Sequence, residues 1–481
     1  SSPTTKSSFS PGFSQVDNSL NYPWGTNDQA AVTSAKALIT NGIPFMNQHI
    51  MAWGVDDIWP DPSTADPSNW SPLDTQMQIV QSTGVTPVIT FAEAPWWMKG
   101  QVQSDGTTKL IPDSRGEWAS YTYTTSYTDY RGITYPAGYV SPGPYDSRIL
   151  DNQMSNWLHL VDSVARRYMV SPYNVRYFQV WNELKGYYNP ATNQYDSTTS
   201  AGDPTGSNAK HGYTYMYNQV YTRIMQVANS LGIATSSVFV GGPYVVIDTW
   251  GSGSGGFPTT EAFLKNKAYG NYDQRGLDVV KYWLQKKAGA GFVTVDAGND
   301  NKDGINLTDP FTASQKFADV TNWIHQLNTA YPGSFPDAAT MPVWWAEWYA
   351  SPLSNYTQDY NNAVKSYAMS QLLKAGGAVA LAWGEQGDSA VVGGGGSAGI
   401  YSNTNQSGGG QPYSWYYSYK AFRDYFPPGT QLYATSISAP TQVEALASAT
   451  KTMLINKTAG TLTVGVNGTI VPLNPYRVLV K

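Results

Sequence analysis

Glutamate is the residue type whose positions in this sequence first indicate chemistry. Only seven of the 34 acidic residues are glutamates, so each glutamate can be considered individually. Four of them lie at the ends of apolar runs that predict buried strands: Glu93, Glu183, Glu347 and Glu385. Ionised carboxylates are costly beside a hydrophobic core, so their recurrence at strand ends favours proton transfer or nucleophilic attack over a structural role. For Glu93 and Glu385, an ion pair or a loop cap is an equally good interpretation.

The surroundings of Glu183 and Glu347 narrow the chemistry further. Glu183 follows Trp181 and Asn182 at the end of one run, and Glu347 is enclosed by tryptophans, among them Trp348. Aromatic walls and a neighbouring carboxylate raise the pKa of one carboxyl group, while hydrogen-bond donors keep another ionised. Hydrolysis of a glycosidic bond requires two carboxyl groups in these opposite states, facing each other across the scissile bond. We therefore predict Glu183 and Glu347 as a catalytic pair.

The apolar runs belong to a regular alternation of predicted strands and amphipathic helices. The predicted strands are Ile43–His49, Thr86–Ala92, Val175–Asn182, Val238–Val245, Phe292–Val295, Val343–Trp348 and Val379–Gly384, with an eighth near Phe13–Asp17. The predicted helices include Ala31–Thr40, Leu73–Thr83, Leu150–Met169, Tyr213–Leu231, Ser314–Leu327 and Tyr360–Ala375. This pattern predicts an α/β fold, a (β/α)8 TIM barrel, in which the strand ends converge on one site. A doubly wound open sheet is the alternative, although no glycine-rich nucleotide-binding motif follows any strand.

The last fifty or so residues show a different pattern. Short alternating runs at Val443–Ser448, Thr452–Asn456, Leu462–Val466 and Arg477–Val480 are separated by turn residues, including Asn467-Gly468. Such runs predict a small antiparallel β-sheet or sandwich module. We therefore expect a catalytic barrel with long loop insertions over residues 11–428 and an accessory module over residues 429–481, with residues 1–10 as a further strand. A module of this size should pack on the barrel, because it is too small to be stable alone.

The overall composition excludes several classes of protein and favours a carbohydrate ligand. The chain has no cysteine, four histidines and a net charge of −5. We therefore expect no catalytic metal, no organic cofactor and no nucleic-acid partner. Because 35 tyrosines and 17 tryptophans accompany only 13% charged residues, neutral, hydroxyl-rich ligands such as sugars are favoured. No apolar run reaches the length of a membrane span, and the low charge and serine-rich start indicate a processed, secreted protein.

Taken together and in this order, the motifs resemble clan A glycoside hydrolases, and most closely glycoside hydrolase family 39. The resemblance covers roughly residues 30–390. It is carried by Trp181-Asn182-Glu183, Ala346-Glu347-Trp348, Asn47-Gln48-His49, Ala94-Pro95-Trp96-Trp97-Met98, Gly241-Gly242-Pro243 and Trp383. It implies a retaining mechanism in which Glu183 is the general acid/base and Glu347 is the nucleophile. It also implies that Asn182 binds the sugar 2-hydroxyl.

This chain departs from the family pattern at three of the motifs. Leu184-Lys185 stands where the family has Pro-Asn, and Asn47 replaces an arginine. The sixth strand, Phe292–Asp296, lacks the histidine and the tyrosine that support the nucleophile in the family. These differences affect which substrate is expected and which groups support Glu347. They speak less against catalysis by two carboxyl groups.

Residues near the strand ends are predicted to bind the substrate. They are His49, Glu93, Trp96, Trp97, Trp181, Asn182, His211, Trp348, Trp383 and Glu385. A structural role is the alternative for His49 and His211. Lys99 and Lys185 also follow strand ends and could meet acidic sugar substituents, but exposure to solvent is the simpler interpretation.

Two long insertions, Gln101–Tyr145 and Lys185–Gly212, are rich in tyrosine and follow strands beside the predicted acid/base. Ligand contact and simple solvation are equally open for these loops. Aromatic loops favour an open cleft, so we expect the enzyme to cleave a polysaccharide or oligosaccharide internally. We also expect a monomer. An exo-acting β-xylosidase-like or arabinosidase-like enzyme is the alternative, and a non-catalytic carbohydrate-binding protein is a further one.

The segment Asn299–Gly304 matches the first half of a calcium-binding loop. The twelfth position is Pro310 instead of the glutamate that would bind calcium with two oxygens. Clusters of Asp, Asn and Gly are also common in ordinary turns. We therefore predict no metal here.

Overall fold

The computed structural model describes most of the chain. The described residues are 2–21, 27–51, 55–102, 108–110, 121–122, 126–128, 134–135, 137, 140–141, 147–189, 193–199, 212–253, 255–352, 356–387, 391–392, 399–466 and 468–481.

Eight parallel strands close into a barrel, and a helix follows each strand. The strands are β1 (Ser10–Ser14), β2 (Phe45–Ile50), β3 (Thr86–Phe91), β4 (Tyr177–Val180), β5 (Phe239–Val246), β6 (Phe292–Gly298), β7 (Val343–Tyr349) and β8 (Val379–Trp383). The helices are α1 (Gln29–Gly42), α2 (Ser71–Thr83), α3 (Met154–Tyr168), α4 (Tyr213–Ser230), α5 (Gln274–Lys286), α6 (Gln315–Ala330), α7 (Gln358–Lys374) and α8 (Ser414–Tyr425). The predicted (β/α)8 barrel is confirmed, and its closure excludes the open sheet.

Short polar side chains determine where several barrel helices begin. The Asp28 carboxylate accepts a hydrogen bond from the backbone N–H of Ala31 at 2.9 Å, at the start of α1. Asp273 does the same for α5 at 3.0 Å. These contacts satisfy backbone donors that the first helical turn leaves without partners.

Among the described residues, no helix combines the length and the apolar character that a membrane span requires.

Aromatic rings fill the interior of the barrel below the site. Phe292 and Trp344 stack with 4.0 Å between ring centroids, and Tyr177 stacks on Phe239 at 5.1 Å. Gly241 makes this packing possible, because a Cβ there would lie only 2.1 Å from the Phe292 ring. The polar groups at the carboxyl ends of the strands therefore rest on a closed hydrophobic layer.

The C-terminal residues form an antiparallel module, as predicted. Its strands are β9 (Gln431–Tyr433), β10 (Val443–Ser448), β11 (Thr452–Asn456), β12 (Leu462–Val466), β13 (Thr469–Leu473) and β14 (Val478–Val480). A five-stranded sheet contains the N-terminal strand Pro3–Lys6 followed by β9, β10, β11 and β14, while β12 and β13 pair as a hairpin. The strand β13 was not among the predicted runs.

The module packs on helix α7 of the barrel. The ammonium of Lys374 in α7 forms an ion pair with Glu444 of β10 and also donates to the Ala445 carbonyl at 2.9 Å. The rings of Tyr360 and Tyr476 stack with 4.0 Å between their centroids. The small sheet therefore shares its stability with the barrel.

Candidate active site

Three carboxyl groups meet at the carboxyl end of the barrel strands. They belong to Glu183 after β4, Asp296 in β6 and Glu347 in β7, and one oxygen of each lies within 4.8 Å of the others. Asp296 is 2% exposed and Glu347 5% exposed, whereas the side chain of Glu183 is 21% exposed. The cluster therefore has a buried side at β6 and β7 and an accessible side at Glu183.

A strained turn after β4 positions Glu183. Trp181, Glu183 and Leu184 all have positive φ angles, of 73°, 48° and 52°, in a region that non-glycine residues rarely adopt. The Trp181 indole N–H donates to the Lys185 carbonyl at 2.8 Å, and its ring packs edge-on against Trp157. Such strain persists only where surrounding contacts enforce it, and here it accompanies a functional candidate.

An irregular register places Asp296 beside Glu347. The pairing of β6 with β7 shifts after Val295, so that Asp296 becomes the direct partner of Glu347. Trp345 points away from the barrel interior, since its indole N–H donates to Thr321 of α6 at 3.1 Å. Irregularities of this kind change the direction of the side chains that follow and are frequent next to active sites.

Two tyrosine hydroxyl groups donate hydrogen bonds to Glu347. Tyr244 of β5 donates to Oε2 at 3.0 Å, and Tyr349 donates to Oε1. The Tyr244 backbone N–H in turn donates to the Thr294 hydroxyl at 2.9 Å. Because β6 carries neither the histidine nor the tyrosine of the family, the sequence had left the support of Glu347 in question. In the structure, a tyrosine of β5 and a tyrosine of β7 provide this support.

The environment separates the ionisation of the three carboxyl groups. Burial would raise the pKa of Glu183, but the charge of Lys185 and hydrogen bonds from Asp296 and Lys185 hold it below its ordinary value. Burial, together with the charge of Glu183, raises the pKa of Glu347 to about 8, although its two tyrosine donors oppose the shift. Burial and both glutamates raise the pKa of Asp296 well above its usual range. The Lys185 side of the cluster therefore favours an ionised Glu183, and the buried side favours a protonated carboxyl group at Asp296 or Glu347.

His49, Asn182 and Trp383 lie beside this cluster. His49 at the end of β2 is fully buried, and its ring meets the Trp383 ring edge-on at 5.1 Å. Burial lowers the pKa of His49 to about 3, against the charge of nearby Glu183, so the imidazole is neutral. Asn182 directly precedes Glu183 and is also buried. These three predicted binding residues are therefore brought together with the predicted catalytic pair.

Other predicted binding residues make internal contacts instead. Trp181 and Trp348 are buried in the core, where Trp348 packs edge-on against Phe317 of α6 at 5.6 Å. Trp97 is partly buried, and its indole N–H donates to the Trp59 carbonyl at 2.9 Å. A substrate-binding role for these tryptophans stays a prediction that no contact with the carboxyl cluster supports.

The two remaining strand-end glutamates have internal partners. Glu93 forms an ion pair with Lys99 at 2.8 Å, and both side chains are buried. Glu385 is fully buried and accepts hydrogen bonds from the Ser19 hydroxyl at 2.8 Å and the Val16 backbone N–H at 3.2 Å. The structural interpretation left open for both glutamates matches these contacts.

Some predictions concern positions that the structure does not describe. His211, the side chain of Trp96 and most of the two tyrosine-rich insertions lie outside the described residues. Their proposed contacts with a substrate stay predictions.

Three residues of the cluster, Asp296, Tyr244 and Tyr349, were not predicted from the sequence. Lys99, which was expected to be exposed to solvent, is buried. The side chain of Lys185 is 36% exposed, but it also forms an ion pair with Glu183 at 2.8 Å that was not predicted. Its position two residues after Glu183, at a departure from the family pattern, was the available signal.

Internal donors bind several oxygen atoms in and next to the loop Asn299–Gly304. The Lys316 ammonium donates to the carbonyl oxygens of Gly298 and Asp300, at 2.7 and 3.0 Å. The Asp303 carboxylate accepts the backbone N–H of Gly251 at 3.0 Å. Oxygens that could bind calcium are thus occupied by internal donors.

Comparison with known proteins shows a shared fold. The chain matches no family model and no curated protein sequence. The endo-beta1,6-glucanase BT3312 is similar at 10% identity with a TM-score of 0.54, over 99% of this chain and 92% of that one. SrfJ from Salmonella typhimurium is similar at 10% identity with a TM-score of 0.53, over 98% and 88% of the two chains. The GH39 enzyme from Xanthomonas axonopodis pv. citri matches at 13% identity over 95% and 72%, with a TM-score of 0.47. The first two likenesses establish the fold, and the reaction must be argued from the residues of the site.

Proposed function

We propose that the protein is a retaining glycoside hydrolase that uses Glu347 as nucleophile and Glu183 as general acid/base. The observation that carries this proposal is the approach of the two carboxyl groups, with oxygens within 4.8 Å of each other at the carboxyl end of a (β/α)8 barrel. Retaining glycosidases place their carboxyl groups about 5 to 5.5 Å apart, whereas inverting enzymes leave room for a water molecule between them. Active sites of this fold lie at that end of the barrel.

In the proposed reaction, the Glu347 carboxylate attacks the anomeric carbon while Glu183 protonates the departing oxygen. The hydroxyl groups of Tyr244 and Tyr349 donate to both oxygens of Glu347 and stabilise the ionised form that attacks, against the burial that raises its pKa to about 8. Glu183 then removes a proton from the water that hydrolyses the glycosyl ester. Asn182 and neutral His49 lie where they could bind sugar hydroxyl groups. The division of roles follows the resemblance of Trp181-Asn182-Glu183 to the family motif.

The proposed substrate is an extracellular polysaccharide that the enzyme cleaves internally. The tyrosine-rich insertions support this proposal by composition, and a protein of similar fold is named an endo-beta1,6-glucanase. An exo-acting enzyme is the second candidate, because exo and endo enzymes share the same two-carboxylate chemistry. A non-catalytic binding protein would have no need of two carboxyl groups held with oxygens within 4.8 Å of each other, which argues against that alternative.

A product analysis tests the proposal. The protein and its Glu347→Gln variant are incubated with a panel of polysaccharides, and products are sized by mass spectrometry. We expect internal fragments from the wild-type protein only, and ¹H NMR should show that the first product keeps the anomeric configuration of the substrate. Inversion of that configuration, or equal products from Glu347→Gln, would overturn the proposal. Early release of monosaccharide alone would replace endo action by exo action.

A further inference from the structure

The two-glutamate mechanism leaves Asp296 without a role. Its side chain is 2% exposed and lies within 4.8 Å of both glutamates. Placing a third acid beside two others is costly, because three like charges cannot all be held in a buried site. The nearby Lys185 ammonium is already paired with Glu183. Either Asp296 or one of its two neighbours must therefore hold a proton.

The position of Asp296 connects the two glutamates. Asp296 is the register partner of Glu347 across β6 and β7, and it is hydrogen-bonded to Glu183 on the other side. A hydrogen bond between two carboxyl groups requires that one of them is protonated, since an ionised carboxylate only accepts. In the described part of the chain, Asp296 Oδ2 has no hydrogen-bond partner.

The proposed mechanism needs a proton on Glu183, yet the free site holds Glu183 as a carboxylate paired with Lys185. The proton must therefore come from a neighbour before the glycosidic bond breaks. We propose that Asp296 is a positioning residue that stores this proton and delivers it to the Glu183 carboxylate. This inference rests on the proposed glycosidase function.

The proton balance closes over one catalytic cycle. Asp296 transfers its proton to Glu183, and Glu183 transfers it to the departing oxygen as the bond to the anomeric carbon breaks. Glu347 loses its charge when it forms the glycosyl ester, which makes an ionised Asp296 less costly at that moment. The attacking water then gives a proton to Glu183, which returns it to Asp296 while Glu347 is released as a carboxylate.

The groups that face Asp296 come from several elements of the barrel. They are Glu183 and Lys185 after β4, Tyr244 in β5, Glu347 and Tyr349 in β7, and Lys316 of α6, while His49 of β2 faces Glu183. Burial raises the pKa of both tyrosines and lowers that of His49 to about 3, so these groups do not exchange a proton near neutral pH. Burial also lowers the pKa of Lys316 to about 8, but its ammonium donates to the carbonyl oxygens of Gly298 and Asp300. Among the described groups, Asp296 and the two glutamates are therefore the ones placed to pass a proton between carboxyl groups.

The variant Asp296→Asn keeps the size of the side chain and its hydrogen-bond donor but cannot deliver a proton. For substrates with poor leaving groups, we expect kcat/KM to fall by about 10²-fold and its alkaline limb to move to lower pH. Activated aryl glycosides, which need little protonation, should lose less than about threefold in the glycosylation step. If Asp296 had a merely structural role, the substitution would lower kcat/KM equally for both substrate classes and would leave the pH profile unchanged.

Two further measurements keep the outcomes distinct. Tyr244→Phe is the matched control, because it removes a donor to Glu347 and should slow both substrate classes without moving the alkaline limb downward. A ¹³C NMR titration of protein labelled at aspartate carboxyl carbons, with Asp296→Asn to assign the signal, should show Asp296 protonated at neutral pH. An ionised Asp296 there would overturn the inference even if the protein hydrolyses glycosides. If no glycoside is cleaved, the proposed function fails, and the delivery of the proton fails with it.

Discussion

Lys185 and Glu183 form an ion pair across a single turn, with 2.8 Å between Nζ and Oε2. The pair lies on the accessible side of the carboxyl cluster, since the Lys185 side chain is 36% exposed. A second lysine–glutamate pair, Lys99 with Glu93, has the same 2.8 Å distance but is buried after β3. The two pairs therefore allow a controlled comparison of one ion pair inside the cluster with one outside it.

We expect Lys185→Met to raise the pKa of Glu183, because burial then acts without the opposing lysine charge and hydrogen bond. A higher pKa keeps the proposed acid protonated to higher pH. The alkaline limb of the kcat/KM profile should therefore move upward by about one pH unit. Profiles of the variant and the wild-type protein on one natural oligosaccharide measure the shift.

Lys99→Met is the control for that prediction. It should lower the free energy of unfolding, because it leaves the buried Glu93 carboxylate without its cation, by about 3 to 5 kcal/mol. Its alkaline limb should coincide with that of the wild-type protein. If the alkaline limb of the kcat/KM profile moves in Lys99→Met, or stays in place in Lys185→Met, then Lys185 does not set the pKa of Glu183.

The two glutamates should differ in their dependence on the leaving group. Glu347→Ala should lose activity by several orders of magnitude on every substrate, because no glycosyl ester can form. Glu183→Ala should lose about 10² to 10⁴-fold on natural substrates, yet far less on activated aryl glycosides. Mass spectrometry of the intact Glu183→Ala protein should detect the covalent intermediate, and added azide should accelerate its turnover. Azide rescue of neither variant would require new roles for both residues.

Stability should depend on pH through Glu347. Burial and the charge of Glu183 raise its folded-state pKa from 4.5 to about 8, so the folded protein binds this proton more tightly than the unfolded chain. The corresponding stability is complete below about pH 4.5 and is lost as pH rises through about 8. We expect Glu347→Gln to be more stable than the wild-type protein by about 1 to 3 kcal/mol at pH values above this window. Thermal unfolding at a series of pH values measures the difference, which should vanish under acidic conditions.

Lys316 should be essential for the loop that follows β6. Lys316→Met leaves the carbonyl oxygens of Gly298 and Asp300 without their donor, which should lower the free energy of unfolding by about 2 to 5 kcal/mol. Lys302→Met is the matched control in the same region, because the Lys302 side chain is 45% exposed and its ion pair with Asp248 should contribute less than about 1 kcal/mol. A chelator should not change the Tm of the wild-type protein, and a fall in Tm on chelation would point to a bound cation.

The barrel and its glutamates could be predicted because their signals are local. Continuous apolar strands, helical periodicity and the scarcity of glutamate are all properties of short segments. Asp296 gave no such signal, since aspartate is abundant in this chain with 27 copies. Its position also depends on a register shift between two strands that no single segment reveals.

The tryptophans predicted to bind the substrate illustrate a second limit of prediction from the sequence. Trp181 and Trp348 are neighbours in sequence of Asn182 and Glu347, which lie at the site. Adjacent residues of a strand point to opposite faces, so a neighbour of an inward residue usually packs against the helices. Trp348 follows this rule, whereas Tyr244 reaches the site from a residue with φ of 54° in an irregular part of β5.

The pairing of the N-terminal strand Pro3–Lys6 with β9 has a consequence for the order of folding. The Ser7 hydroxyl donates to the Phe426 carbonyl 419 residues later, and β1 begins only a few residues after this contact. At synthesis rates of about 5 to 20 residues per second, this segment waits roughly 20 to 85 s for its partner to be translated. Its own barrel neighbour β8 is also distant in sequence, so β1 has only β2 as an early partner. Barrel closure and completion of the small sheet are therefore expected as one late, cooperative event.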